Sequence, residues 1–138
     1  MRNVVLDTNC LLQMISRHSP YFKGWQAFHD GKYILCVSNE IVSEYIEIIS
    51  RVANQLVAEN VVEMILRSPF SKRIEPQYRF GLITKDYDDN KFVDCAIIAN
   101  ADYIVSEDSH FQELKDISFP TVRVIKIKDF IADVCDNN

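Results

Sequence analysis

Glycine and proline are scarce in this 138-residue sequence, which has three glycines and four prolines. It also has no low-complexity run and no internal repeat. Its cysteines lie far apart, without a C-x-x-C pair or a histidine spacing typical of zinc sites. They are Cys10, Cys36, Cys95 and Cys135, and three of them fall in apolar segments. This pattern favours reduced, buried thiols in a cytosolic protein over a disulfide framework.

Several sequence signals of membranes and enzymes are also missing. No cationic leader and no apolar run of membrane-spanning length occurs, so we expect a soluble, cytoplasmic protein with no membrane partner. There is no G-x-S-x-G elbow, P-loop or G-x-G-x-x-G motif. His18, His29 and His110 have no paired spacing, which argues against a histidine-rich metal site. The net charge of −5 disfavours tight clamping of nucleic acid, unless bound metal ions reverse the local sign.

What is present is an ordinary globular composition, 48% apolar and 25% charged, over a length that suits one domain, residues 1–138. Segments with helical periodicity alternate with strand-like apolar runs, RNVVLD, KYILCVS, DYIVS and TVRVIKI. A further short strand fits the region KRIEPQYRF. The alternation predicts an α/β fold, a three-layer αβα sandwich with a mainly parallel central sheet.

Acidic residues follow two of these strands. Asp7 ends the first strand, and Asp108 comes just after the strand that ends at Ser106. Ligands of open α/β sheets bind at the carboxyl ends of strands, so both acids are expected at one edge of the sheet. Each residue taken alone could equally be a helix N-cap. Glu44 lies beside Ile48 at the margin of an apolar helix face, which points it towards the same edge.

Asp94 interrupts a helix, about Asn90 to Ala101, that is apolar on nearly every side. A buried carboxylate needs a positive partner, because an unpaired charge in the interior costs several kcal/mol. Lys91, one turn earlier, is one candidate partner. A divalent cation shared with Asp7, Glu44 and Asp108 would satisfy all four acids at once, and hard cations such as Mg²⁺ and Mn²⁺ take oxygen ligands.

Three segments, VVLDTNCLL, SNEIVSEY and DDNKFVDCAIIANADYIVSEDSHF, occur in this order. In these the sequence resembles PIN-domain proteins, over nearly the whole chain. It is most similar to the VapC-like bacterial branch, the toxin components of toxin–antitoxin systems. The resemblance implies a PIN-like fold and a Mg²⁺- or Mn²⁺-dependent endoribonuclease. The implied metal-binding and catalytic residues are Asp7, Glu44, Asp94 and Asp108.

The resemblance also implies supporting residues and partners. Asn9 matches the polar residue of the DTN turn, and Ser106 stands where the family more often has threonine. Asp88 and Asp89 match an acidic lead-in, in which Asp89 is either a helix cap or an additional ligand. Glu107 departs from the small or basic residue common at its position, and either perturbs metal affinity or faces solvent.

An RNA substrate and an antitoxin partner follow from the same resemblance. The segments YFKGWQAF and NQLVAENVVEMIL carry more apolar residues than a small monomer needs, which favours a homodimer or a groove for a partner protein. Two alternatives stay open. One is a metal-free PIN-like module that binds RNA or protein, and the other is a Mg²⁺-dependent DNA nuclease or phosphatase.

Overall fold

Short strands of two to five residues form a parallel sheet in this chain. The computed structural model describes residues 1–83, 87–117 and 120–136. The strands are β1 (Arg2–Leu6), β2 (Tyr33–Val37), β3 (Ser71–Arg73), β4 (Tyr103–Val105) and β5 (Val124–Ile125). They lie in the order β3-β2-β1-β4-β5, and every neighbouring pair is parallel. The central strand β1 is buried from Val4 to Leu6, as expected for a strand covered on both faces.

Helices connect the strands. They are α1 (Thr8–Ile15), α2 (Phe22–His29), α3 (Asn39–Val52), α4 (Gln55–Arg67), α5 (Asn90–Ala99) and α6 (Ile127–Ile131). Short 3₁₀ segments cover Tyr87–Asp89 and Ser109–Asp116, and a π-helical turn, Ala132–Asp136, continues α6. None of the helices in the described parts of the chain is both long and apolar enough to cross a membrane.

The helices cover both faces of the sheet. The Tyr33 ring contacts Phe28 of α2 and Phe130 of α6. Cys36 points to the opposite face, since its position differs from that of Tyr33 by an odd number of residues, and there it is near Cys95 of α5. α3 lies beside α5, and α4 packs on α3. The predicted three-layer sandwich with a parallel sheet is confirmed.

The prediction was less accurate at the edges of the sheet. The predicted strand TVRVIKI is a strand only at Val124–Ile125, where it pairs with β4. The other edge strand is Ser71–Arg73, at the start of the KRIEPQYRF region, and the residues from Ile74 to Phe80 are not in a strand. Edge strands pair on one side only, so their lengths depend on a single neighbour and are weakly encoded in hydrophobic patterns.

Exposed apolar residues concentrate on α3 and α4. The expectation of an exposed YFKGWQAF segment is wrong, because Trp25 and Phe28 are 7% and 0% exposed and belong to the core. In the second segment, by contrast, Leu56 and Met64 are 67% and 50% exposed. Val52, at the end of α3, is exposed as well. Of the two predicted apolar segments, the one on the α3–α4 side therefore carries the exposed surface in the part of the chain that the structure describes.

Two glycines with positive φ offer a test of the packing. Gly31, just after α2, has φ +72°, and a Cβ there would lie 2.5 Å from Cζ of Phe70, whereas Gly81 has φ +64° and open space around it. We expect Gly81→Ala to lower the free energy of unfolding by about 1–2 kcal/mol, the cost of a left-handed alanine. Gly31→Ala should lose about 2–4 kcal/mol, since overpacking adds to the same strain. Urea denaturation measures both, and equal losses would contradict the Gly31–Phe70 contact.

Candidate active site

Asp7 and Asp108 meet at the carboxyl edge of β1 and β4. The register pairs Leu6 with Val105, so the next residues, Asp7 and Ser106, emerge side by side. The Ser106 hydroxyl donates to Oδ2 of Asp7 at 2.7 Å and accepts from the backbone N–H of Asp108 at 2.9 Å. One buried hydroxyl thus links the carboxylate of Asp7 to the backbone of Asp108, and the expectation that both residues lie at one sheet edge agrees with this arrangement.

The charge of Asp7 is unfavourable where it lies. Its side chain is 6% exposed. Burial raises the pKa of this carboxyl, the Ser106 hydrogen bond lowers it, and the charges of Asp108 and Glu44 raise it further. Asp7 occupies the N-cap position of α1, but its side chain accepts no capping hydrogen bond. Capping therefore does not explain the presence of an acid at this position.

Glu44 is held from both sides. Its Oε2 accepts a short hydrogen bond from the Thr8 hydroxyl, and its Oε1 lies 2.9 Å from Nζ of Lys91. Thr8 is a residue that the sequence reasoning missed in favour of Asn9, which is exposed. Burial lowers the pKa of Lys91, but the bond to Glu44 and its charge raise it on balance. The partner considered for Asp94 is therefore used by Glu44.

Asp94 has different neighbours. Its Oδ1 accepts from the backbone N–H of Phe80 at 3.1 Å, and its side chain is buried. Burial raises the pKa of this carboxyl, whereas the Phe80 bond and the charge of Arg79 lower it and the charge of Glu40 raises it. Arg79 is also paired with Glu40 at 2.7 Å. The ligand role of Asp94 stays a prediction, since these contacts link it to the residue 79–80 segment.

Asp89, Asp108 and His110 form a group that could hold a metal ion, with one ligand atom of each lying within 4.8 Å of the others. Nδ1 of His110 is 3.1 Å from Oδ2 of Asp89 and 3.2 Å from Oδ1 of Asp108. Asp89 is at the N-cap position of α5, yet its side chain makes no capping bond. Asp108 does cap, by accepting from the His110 N–H at 2.9 Å. The missed signal was the spacing Asp108-Ser-His110 directly after a strand.

Glu107 and Asp88 are oriented by other contacts. Oε1 of Glu107 accepts from the N–H of Ile127, the first residue of α6, at 2.9 Å, and Oε2 lies 3.6 Å from Nζ of Lys126. Glu107 therefore caps α6. The sequence predicts that it either perturbs metal affinity or faces solvent, and does not predict the capping role. Asp88 is exposed, and its charge acts on Lys91.

Two depressions border the acids. A cavity of about 230 Å³ lies next to Ser106 and Asp108, and its wall includes Phe111, Lys115 and Lys126. A shallower one of about 310 Å³ borders Glu44 and Lys91. The sheet edge with the acidic residues is therefore bordered by two depressions, and each is lined by both lysine and carboxylate side chains.

Comparisons with known proteins agree with this fold. The sequence model of the PIN domain family matches residues 3–110, from β1 to His110. Solved structures with a similar fold include VapBC2 of Rickettsia felis bound to promoter DNA, with 16% identity over 90% of this chain and 98% of that chain, at a TM-score of 0.60. DNA-bound VapBC of Salmonella typhimurium has 16% identity over 92% and 99%, at 0.58.

VapC20 of Mycobacterium tuberculosis, a toxin that cleaves the sarcin-ricin loop, has 12% identity over 87% of this chain and 98% of that chain, at a TM-score of 0.60. At such identities the likeness shows the fold alone. No curated protein matches the sequence.

The raised pKa of Asp7 gives a stability prediction. A carboxyl whose pKa is higher in the folded than in the unfolded state stabilises the fold fully below its unfolded pKa, and this contribution is lost as the pH rises through the folded pKa. At pH 7 the ionised carboxylate therefore opposes folding. We expect Asp7→Asn to melt about 2–4 °C above the unmodified protein at pH 7 in EDTA, a shift that corresponds to about 1 kcal/mol. Lowering the pH should reduce the difference in melting temperature between Asp7→Asn and the unmodified protein.

Calorimetric melts at several pH values measure this effect. Asp30→Asn, at an exposed position, is the matched control and should not reproduce it. A melting temperature of Asp7→Asn equal to or below that of the unmodified protein at pH 7 would contradict the electrostatic picture.

Proposed function

The chain belongs to the PIN domain family, and from this premise we propose that it is a metal-dependent endoribonuclease that hydrolyses RNA phosphodiester bonds. We further propose that it is the toxin of a type II toxin–antitoxin system. The observation that carries the proposal is the junction of Asp7, Ser106 and Asp108 at the carboxyl edge of the sheet. Glu44 acts on the same buried Asp7 through its charge, and Asp89 faces Asp108 across His110.

The donor set fits a hard divalent cation such as Mg²⁺ or Mn²⁺. Ionised carboxylates are acceptor-only groups, and Asp7, Asp89 and Asp108 are candidate oxygen ligands of the kind these cations prefer. The raised pKa of Asp7 supports the assignment, because a cation beside it would remove the penalty of its ionisation. Glu44 is the further proposed ligand, and its pairing with Lys91 supplies positive charge there.

The bound cation and the residues of the site would have separate roles in the reaction. When bound, the cation stabilises charge on the phosphate and makes water a better nucleophile at neutral pH. Ser106 fixes the Oδ2 of Asp7, and Thr8 fixes the Oε2 of Glu44. These second contacts orient the carboxylates, as supporting hydrogen bonds do for metal ligands generally.

Two features support a nucleic-acid substrate. The cavity beside Asp108 has lysines, Lys115 and Lys126, and apolar wall residues such as Phe111, which suit a phosphate and a base. The structurally similar VapC20 cleaves the sarcin-ricin loop, an RNA target. Dications in the site would offset the net charge of −5 where the substrate binds.

The proposal also includes two protein partners, an antitoxin and a second copy of the chain. The similar VapBC structures support an antitoxin as partner. The exposed Leu56 and Met64 of α4, next to Val52 of α3, offer an apolar surface for that partner or for a second copy of the chain. Light scattering tests the homodimer, and a monomeric mass would remove it. A cytoplasmic location is part of the same proposal.

Cleavage of labelled single-stranded RNA by the purified protein tests the activity. We expect cleavage with Mg²⁺ or Mn²⁺ and its loss in EDTA. Asp7→Asn and Asp108→Asn should each lose at least about a hundredfold, since even changes behind the ligands of a metal site cost about 10–100-fold. Asp30→Asn is the control and should stay active.

Parallel reactions with single-stranded DNA and with a phosphate monoester separate the alternative substrates. Cleavage that persists in EDTA, or full activity of both site variants, would overturn the metal-dependent nuclease. Faster cleavage of DNA than of RNA would assign the protein to the DNA nucleases.

Replacement by asparagine is expected to affect Mn²⁺ binding differently at Asp94 and at Asp89. We propose that Asp94 positions the segment at Phe80 beside the site, because its carboxylate accepts from that N–H and faces Arg79. An asparagine keeps an acceptor oxygen for Phe80 and removes only the charge. Asp94→Asn should therefore keep its Mn²⁺ affinity, whereas Asp89→Asn should lose about tenfold or more.

Isothermal titration calorimetry with Mn²⁺ makes this comparison, and RNA cleavage gives KM and kcat separately. A positioning role predicts a higher KM for Asp94→Asn. Loss of Mn²⁺ binding in Asp94→Asn would instead make Asp94 a metal ligand, as the sequence predicted.

A further inference from the structure

We infer that His110 is a nitrogen ligand of the proposed metal site, and that it gives the site a preference for transition-metal dications over Mg²⁺. The inference rests on the proposed function for the presence of a cation at this edge. It goes further in adding an imidazole to a carboxylate set and in deriving metal selectivity from it. His110 is the second residue of the 3₁₀ segment after β4, and its backbone N–H donates the capping bond to Asp108, which fixes its place.

Geometry is the first reason. A single ring atom, Nδ1, faces oxygens of both Asp89 and Asp108, at 3.1 and 3.2 Å. In octahedral coordination with bonds of about 2.1 Å, adjacent ligand atoms are about 3.0 Å apart. The two separations are thus close to the distance between adjacent ligand atoms in such a shell. One of the three donor atoms belongs to Asp89, in the turn before α5. The other two belong to Asp108 and His110, which follow β4.

Chemistry is the second reason. An N–H group has one proton, so Nδ1 can point a linear hydrogen bond at only one of the two aspartate oxygens that it lies beside. A dication between the three atoms would bind all of them. Imidazole suits transition metals, whereas Mg²⁺ prefers an all-oxygen shell. A mixed nitrogen and oxygen set therefore favours Mn²⁺ or Co²⁺ relative to Mg²⁺.

Electron spin-echo envelope modulation of bound Mn²⁺ tests the ligand directly, without reference to activity. We expect ¹⁴N modulation from an imidazole in the full-length protein, its replacement by a ¹⁵N pattern after labelling with ¹⁵N-histidine, and its loss in His110→Gln. His18→Gln, at an exposed histidine, is the matched control and should keep the modulation. The labelling arm uses the unmodified sequence, so the result does not depend on whether His110→Gln folds.

Calorimetric titration with Mn²⁺ and with Mg²⁺ measures the selectivity. His110→Gln should lose about tenfold in Mn²⁺ affinity and about threefold or less in Mg²⁺ affinity. Bound Mn²⁺ without ¹⁴N modulation, or modulation that persists in His110→Gln, would overturn the inference and leave His110 as a hydrogen-bonding neighbour of the aspartates.

RNA cleavage measured on the same preparations keeps the two proposals distinguishable. Mg²⁺-dependent cleavage without nitrogen modulation would overturn the ligand and leave the nuclease intact. Nitrogen modulation in a protein that cleaves no RNA would support the ligand and overturn the nuclease.

Discussion

The burial of one carboxylate, Asp7, at a sheet edge that carries other acids is the constraint on which the site depends. Asp7 ends the central strand, where the covered sheet leaves its side chain 6% exposed. Burial and the nearby charges of Asp108 and Glu44 raise its pKa. A fold that keeps an acid under these conditions loses stability at neutral pH unless positive charge is added. This cost is the physical reason to connect the architecture with cation binding.

The distribution of positive charge around the edge points to Asp7 as the centre. Among the other acids of the edge, Glu44 has Lys91 nearby and Asp94 has Arg79, and Asp89 and Asp108 lie beside the His110 ring. For Asp7, the hydrogen bonds come from neutral groups, the hydroxyl of Ser106 and the backbone of Thr8. A hydroxyl orients a carboxylate but does not balance its charge. The unbalanced charge therefore lies between β1 and β4, where ligands of parallel sheets bind.

The sequence was sufficient for the parts of this arrangement that follow from periodicity and strand polarity. The buried runs predicted a parallel sheet, their carboxyl ends predicted that Asp7 and Asp108 lie at one edge of it, and the helical face predicted that Glu44 points towards the same edge. Partners across loops were not predictable in this way. The contact of Asp94 with Phe80 depends on a non-helical segment 14 residues earlier, and no periodic pattern encodes where such a segment folds back. His110 lacks a paired histidine spacing in the sequence, and its neighbours in the structure are aspartates instead.

Helix capping shows why local rules could not separate ligands from structural acids. An aspartate between a strand and a helix has the same sequence signature whether it caps the helix or binds a ligand. Asp7 lies at a cap position without a capping bond, while Asp108 makes such a bond with one oxygen and faces His110 with the same atom. Capping and metal binding are thus not exclusive at Asp108, because a carboxylate oxygen has lone pairs for both. The cap fixes the carboxylate before any cation binds, so the helix start that positions Asp108 also preorganises it as a ligand.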